Sequence, residues 1–312
     1  MAGGSDQAGP RVRCILKLGG AAITKKNEFE TLHETVLTAT IQHIVDSLRA
    51  GGNDKEADHI VIVHGAGSFG HFQASKYGVS KGGLGSTAHI LQGFAETRVS
   101  VTKLNHEVVR RLCEGGVAAC GLSPFAGGWT THNRKLATSD VASVRKTLEA
   151  GLLPVLHGDA VLDSGQGCTI LSGDVIVRKL AADLRPDFVV FLTNVAGVYD
   201  KPPSEDGARL IREIAVAGDG TWTITDPNDL AQGVQMAAAA HDTTGGMATK
   251  IEEAAEIAAK GIPVYIAKAG TPAASAAIRG TPHKSLMGRK EGDSSRTSLE
   301  PWTGTVLRPS GH

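Results

Sequence analysis

Apolar residues along this chain recur with two alternating spacings. Short runs rich in Val, Ile and Leu, such as "RCILKLGG", "HIVIVHGAG" and "DFVVFLTNVAGVYD", read as buried strands stopped by glycine or turn residues. Between them lie longer segments with helical spacing. "FETLHETVLTATIQHIVDSLRAGG" sets Leu32, Val36, Leu37, Ile41, Ile44, Val45 and Leu48 on one stripe and ends on glycine. The same reading predicts a helix over about 87–114, closed by Gly115 and Gly116, and others at "GDVIVRKLAADL" and "GGMATKIEEAAEIAAKG". "LLPVLHGDAV" reads as strand and turn, "IPVYIAKAG" as a strand and "TGTVLR" as a last short strand. Strands alternating with helices of ten or more residues imply crossover connections, hence an α/β fold with a mainly parallel sheet covered on both faces.

Four segments break the pattern. Residues 1–11 read as a loose tail, 120–139 and 201–230 as turn-rich segments suited to hairpins or lids, and 280–300 as an exposed loop. A boundary near residue 185 would divide the chain into lobes 12–185 and 186–312. There is no fixed-period repeat.

Composition narrows the function classes. A chain of 312 residues with 41% hydrophobic content can bury a substantial core. Lys plus Arg equals Asp plus Glu, 32 each, so no net field draws the molecule to nucleic acid or to an anionic membrane, and any bound anion must be held locally. The 39 glycines, several directly after apolar runs, suit tight strand-to-helix turns. Cys14, Cys113, Cys120 and Cys168 have neither metal nor redox spacing and are expected to be buried free thiols. "MAGGSDQAGPRVR" lacks the apolar core of a secretory signal, and no apolar run approaches the roughly 18 residues that span a bilayer, so a cytoplasmic protein is expected.

Glycine clusters end three of the strands: "KLGGA" (17–21), "HGAGSFGH" (64–71) and "HGDAV" (157–161). In an open parallel sheet these loops share the carboxyl-end rim, where backbone N–H groups and helix N-termini hold phosphate. No GxxxxGK[ST] is present. "GAGSFG" meets GxGxxG, but "HFQASKYGVS" after it predicts no clear apolar helix, and no acidic residue ends the next strand as a ribose ligand, which argues against a dinucleotide-dependent oxidoreductase.

Phosphoryl transfer needs positioning and positive charge. Lys17, Lys25, Lys26, His71 and Lys250 are the candidate cations. Lys17 interrupts an apolar strand, where a charge is costly unless paired. Lys250 lies near the first turn of a helix, where positive charge is unfavourable unless an anion is bound. Lys25 alone reads as a solvated loop lysine. Asp174 either caps its helix or holds two phosphate-binding lysines in place, and Asp159 carries the same ambiguity. "TNVAGVYD" offers a loop able to face a nucleoside.

Together, "ILKLGGAAITKK", "VHGAGSFGH", "PVLHGDAV", "SGDVIVRKLA", "LTNVAGVYD" and "TTGGMATK" resemble the amino acid kinase superfamily and, within it, the isopentenyl phosphate kinases. The resemblance covers about residues 13–270. The second histidine of "HGAGSFGH" carries the finer assignment, and "HGAGSFGHFQAS" is similar to plant and algal members. The resemblance implies a three-layer αβα sandwich, built as a homodimer, with the acceptor in the amino-terminal lobe and ATP in the carboxy-terminal one. It also implies a reaction in which Mg²⁺-ATP and isopentenyl phosphate give ADP and isopentenyl diphosphate, a step of the alternative mevalonate route to isoprenoids.

Carried over by residue, the resemblance has Lys17, Leu18, Gly19, Gly20 and Ala21 cradle the ATP phosphates, and makes Lys26 the transition-state lysine. Ala66 and Gly67 meet the substrate and ATP phosphates, His71 binds the acceptor phosphate, and Gly158 touches the substrate. Asp174 aligns Lys17 with Lys250. Thr193, Asn194, Gly197 and Tyr199 line the nucleotide side, with Gly246 and Lys250 at its phosphates. No protein side chain is expected to ligate a metal directly. Ala21 stands where a serine is common, Ala66 where the middle glycine of "HGGG" is usual, and "HDTTGGM" differs from "DVTGGM". A backbone contact at Ala66 survives if its φ stays negative.

The implied mechanism is direct in-line transfer without a phosphoenzyme. His64, ending a buried strand, is expected to be structural. Apolar residues between Phe72 and Phe94, and around Ile90, are candidates for a five-carbon pocket. The competing readings are a superfamily kinase acting on a carboxylate such as glutamate or acetylglutamate, or on a phosphonate, and a non-catalytic nucleotide-binding regulator.

Overall fold

The computed structural model describes residues 10–50, 59–85, 87–230, 245–282 and 302–310, and for 245–250 the backbone alone. Most of the expected tail (1–11) and of the expected loop (280–300), and the "HDTT" before Gly245, lie outside the described residues. The chain opens with β1 (Val12–Leu18), the single-turn α1 (Gly20–Ile23), α2 (Glu34–Ala50), β2 (His59–His64), α3 (Gly67–Tyr77) and α4 (Ala88–Glu114). Next come β3 (Ala119–Gly121), β4 (Thr130–His132), β5 (Lys135–Thr138), α5 (Val141–Glu149), β6 (Leu153–His157), β7 (Asp159–Asp163), β8 (Gly167–Leu171) and α6 (Gly173–Leu184). They are followed by β9 (Phe188–Thr193), β10 (Val198–Tyr199), β11 (Leu210–Ile211), β12 (Glu213–Val216) and β13 (Trp222–Asp226). The last elements are α7 (Gly245–Ala258), β14 (Val264–Lys268), α8 (Pro272–Ile278) and β15 (Gly304–Pro309).

Nine strands form one sheet in the order β13-β12-β15-β14-β9-β1-β2-β6-β3. The run from β14 to β3 is parallel throughout, while β15 pairs antiparallel with β14 and β13 with β12. Alternate side chains feed two cores. Ile15, Val61, Val63 and Val189 pack with Ile176, Val177 and Leu180 of α6. Leu16, Leu18, Ile60, Ile62 and Val190 pack with Leu37, Ile41 and Ile44 of α2 and with Leu104 and Val108 of α4. Helices on both faces make the expected three-layer αβα sandwich. Each such fully buried side chain contributes about 1.5–3 kcal/mol, which explains why the β-branched runs form the central strands.

Local signals set the helix ends. Thr87 caps α4 by accepting from Ile90 N–H, Ser172 caps α6 by accepting from Val175 N–H, and Gly116 leaves α4 with φ +85. The turn-rich segments hold the β4–β5 hairpin and the β12–β13 hairpin. One expectation is corrected. "GSFGHFQASKY" is a helix, α3, that buries Ser68, Phe69 and Gly70 rather than an apolar stripe. A Cβ on Gly70 would stand 3.1 Å from Val101 Cγ1 of α4, so close packing of a small residue replaces the missing hydrophobic signal. All four cysteines are free, but Cys113 is exposed and Cys120 half-buried, so only Cys14 and Cys168 are the buried thiols expected. No described helix is long and apolar enough to cross a membrane.

Candidate active site

Strands β1, β2, β6 and β9 are parallel and end on one edge of the sheet, which brings their following loops together. The first two glycine loops touch backbone to backbone. A Cβ on Gly20 would stand 2.3 Å from Gly67 N, and one on Gly65 would stand 2.7 Å from Gly20 N. Gly67 has φ +50, and a Cβ there would meet Thr24 Oγ1 at 2.1 Å. Thr24 Oγ1 accepts from Ser68 N–H at 3.0 Å, tying the segment before Lys26 to the start of α3. Ala66 keeps φ −72, so alanine is accommodated without strain.

Two adjoining cavities open on this rim and share a floor of Ala21, Ala66, Gly67, Gly158 and Ile170. The smaller, of about 310 Å³, is bordered by Lys17, Gly173, Asp174, Thr193 and Asn194. The larger, of about 480 Å³, has Lys26 and His71 among its lining, with Ala74, Val101 and Ile170 as apolar wall. The first-turn N–H groups of α3 and α6 have no intrahelical acceptor; α3 starts at the shared floor and α6 at the border of the smaller cavity. The arrangement suits two anions, one on each side of the glycines.

Lys17 is 6% exposed and pairs with Asp174. It lies on the same face of β1 as Ile15, the face covered by α6, so strand alternation brings the lysine against the first turn of that helix. Its ammonium also sits 5.8 Å from the centre of the Phe191 ring. Asp174 thus acts as an ion-pair partner, while Ser172 serves as the helix cap. Glu253 of α7 faces the same pair. Burial pushes its carboxyl up to about 7, and the nearby Asp174 charge adds to the effect. The Arg178–Glu256 pair, at 2.7 Å, holds α7 on α6 beside it.

On the acceptor side, His71 is exposed on α3 and Lys26 is exposed on the loop after α1. Phe29 of that loop packs edge-on against Phe72, ring centres 5.8 Å apart, so the lysine and the histidine belong to one packed unit. Asp159 is 1% exposed and caps nothing. Its carboxylate accepts from Ser123 Oγ at 3.0 Å, Phe125 N–H at 3.2 Å and Ala160 N–H at 2.9 Å, and pairs with Arg98 at 3.3 Å. The Arg98 guanidinium stacks 4.1 Å over Phe125, so the loop after β3 is fastened to α4 beside the cavity. Asp159 was ambiguous in sequence because Arg98 lies 61 residues away.

The five-carbon pocket expected between Phe72 and Phe94 is corrected in part. Ala74, Ser75 and Ser80 from that stretch line the cavity, whereas Ile90 and Phe94 pack into a satellite core with Val79 and Cys168. Thr97, Val101 and Ile170 complete the wall from α4 and β8, and no sequence signal joined them to the second loop. Leu18 is a fully buried core side chain whose carbonyl accepts from Gly65 N–H at 2.8 Å. Gly197 lines neither cavity; a Cβ there would meet Thr305 Oγ1 at 2.4 Å, so packing on β15 accounts for this glycine. Tyr199, half-buried in β10, also lines neither. Gly246 and Lys250 lie in α7, and their side chains fall outside the described residues.

Comparison with known proteins gives the family. Residues 12–268 match the model of the amino acid kinase family. An isopentenyl phosphate kinase of Arabidopsis thaliana is 45% identical, over 97% of this chain and 98% of its own. One of Methanothermobacter thermautotrophicus is 32% identical, over 83% of this chain and 91% of its own. A solved isopentenyl phosphate kinase structure superposes with a TM-score of 0.69 at 29% identity, covering 86% of this chain and 97% of that one.

Proposed function

The chain belongs to the amino acid kinase family, and we propose that it transfers the γ-phosphoryl group of ATP to isopentenyl phosphate, giving isopentenyl diphosphate and ADP. The observation that carries this reading is the pair of cavities on one glycine floor. Each side has its own cation, and Ala74 and Val101 give the larger an apolar wall suited to a hydrocarbon tail. Among the described residues the larger cavity is lined by no arginine, the group an amino-acid carboxylate would want as a clamp.

In this reading the ATP phosphates lie along Gly19–Ala21 and Gly67 with Lys17 beneath, and Thr193 and Asn194 border the nucleoside side. Lys17 neutralises charge on the transferred group, and Asp174 keeps the lysine from leaving the floor. His71 donates an N–H to the acceptor phosphate, and Lys26, lining the same cavity, stabilises the charge that spreads over the phosphoryl oxygens in flight. The acceptor is already an anion, so its oxygen attacks without a strong general base and no phosphoenzyme forms. Bound together with the nucleotide, Mg²⁺ would supply further neutralisation of the phosphate charge.

The same reading assigns the acceptor to lobe 12–185 and the nucleotide to lobe 186–312, in a cytoplasmic homodimer. Light scattering on an eluting peak should then give twice the 32.4 kDa chain mass. The reaction itself is tested by coupled ADP release with ATP, Mg²⁺ and a panel of isopentenyl phosphate, dimethylallyl phosphate, geranyl phosphate, glutamate and acetylglutamate. Activity confined to the two amino acids would overturn the assignment.

A further inference from the structure

Below the two glycine loops lies a pair of buried histidines that the mechanism above does not use. His64 ends β2, His157 ends β6, and the two are register partners on adjacent parallel strands. Their side chains therefore leave the sheet on the same face, and the rings stack with centres 5.6 Å apart and planes 24° from parallel. Each is followed by glycine, and each makes the same bond: His64 Nδ1 to Gly65 O at 3.1 Å, and His157 Nδ1 to Gly158 O at 3.0 Å. A carbonyl only accepts, so both rings carry their proton on Nδ1.

Asn105 of α4 fixes this for His64 from the other side. Its side-chain nitrogen donates to Val155 O at 3.1 Å and lies 3.1 Å from His64 Nε2. The carbonyl of Val155 identifies that atom as the amide nitrogen, so Nε2 must accept and Nδ1 must hold the hydrogen. His64 is fully buried, and burial beside His157 holds the imidazole down to about 3, so the ring is neutral at every physiological pH.

The consequence reaches the site through one peptide plane. In a trans peptide the C=O and the following N–H point in opposite directions. Fixing Gly65 O downward onto His64 therefore turns Ala66 N–H upward, toward the floor that both cavities share. Gly65 itself imposes few conformational restrictions, so without that bond the orientation of the Gly65–Ala66 peptide is held less firmly. We propose that His64, locked in its Nδ1–H tautomer by Asn105, is a positioning residue that presents the Ala66 N–H to the phosphate anion, with His157 bracing the Gly158 turn alongside it.

The kinetic part of the test rests on the proposed isopentenyl phosphate reaction, and the spectroscopic part does not. His64→Phe keeps the stacked ring but removes the donor, whereas His64→Asn places a side-chain nitrogen near the position of Nδ1. The Phe variant should lose about 10- to 30-fold in kcat/KM, mostly through a raised acceptor KM, and the Asn variant should return to within about threefold of the parent. Equal values for Phe and Asn would overturn the proposal. On the unmodified protein, long-range ¹⁵N–¹H correlation should show His64 as Nδ1–H from pH 5 to 8, and an Nε2–H signature would overturn it even if the Phe variant does not fold. Inactivity of the parent enzyme on isopentenyl phosphate would refute the proposed reaction and leave the tautomer assignment to be decided by the spectrum.

Discussion

Replacing Gly158 by alanine separates what the glycines do for folding from what they do for phosphate. A Cβ at Gly158 meets Leu171 O at 3.4 Å, Gly173 N at 3.5 Å and Ala66 N at 3.7 Å, all ordinary contacts, so the folded chain accepts the methyl. That methyl nevertheless occupies the space over the N–H groups of Gly173 and Ala66, where an anion oxygen at roughly 2.9 Å from each nitrogen would sit. Losing two such charge-assisted bonds at about 1.5 kcal/mol apiece costs about 3 kcal/mol, or on the order of 100-fold in kcat/KM. Gly20→Ala is the contrast, because its Cβ would stand 2.3 Å from Gly67 N and 2.7 Å from Gly67 Cα, backbone atoms that cannot step aside. Overpacking of that kind costs roughly 3 kcal/mol of stability, a fall of about 5 °C in Tm. Scanning calorimetry and steady-state ADP release on both variants give the comparison. A Gly158→Ala enzyme with unchanged Tm and unchanged kcat/KM would refute the anion-cradle reasoning.

Four further outcomes can be checked. Lys26→Met should lower kcat far more than it weakens ATP binding, measured by turnover against nucleotide titration, and equal losses would remove its transition-state role. His71→Ala, →Gln and →Asn should each raise the acceptor KM, and near-parental KM and kcat in all three would remove the phosphate contact. Glu253 binds its proton more tightly folded than unfolded, so the stability it contributes is complete below about pH 4.5 and is lost as pH rises through about 7. Glu253→Gln should therefore match the parent Tm at pH 4.5 and exceed it at pH 8. Burial lowers the pKa of both His64 and His157, so the opposite sign holds for them: their neutral forms support the fold above about pH 6.5, and stability is lost as pH falls below it. Acid titration of Tm should be shallower in His64→Asn than in the parent.

The strand and helix alternation was legible because parallel strands buried on both faces must be almost wholly apolar, which also made Lys17 conspicuous. That Lys17 needs an anionic partner followed from the same chemistry, since it lies among Ile15, Val61 and Phe191, whereas Asp174 was tied to it only by the family resemblance. What stayed hidden depends on contacts between distant segments. Helix α3 packs through Gly70 and Ser68, which carry no hydrophobic period. The walls of the larger cavity come from α3, α4 and β8, and only the folded chain brings Ile170 beside His71. Asn105 did leave a trace, a polar residue in the buried stripe of Val101, Leu104 and Val108, and such an interruption marks a side chain with a specific partner.

The most direct test of the central claim is ³¹P NMR of the products when the enzyme is given ATP, Mg²⁺ and equal amounts of isopentenyl phosphate and acetylglutamate. The account predicts loss of the monoester resonance and growth of two coupled doublets of a diphosphate ester, one equivalent per ADP. An untouched monoester beside ADP and a new acyl-phosphate resonance would contradict it.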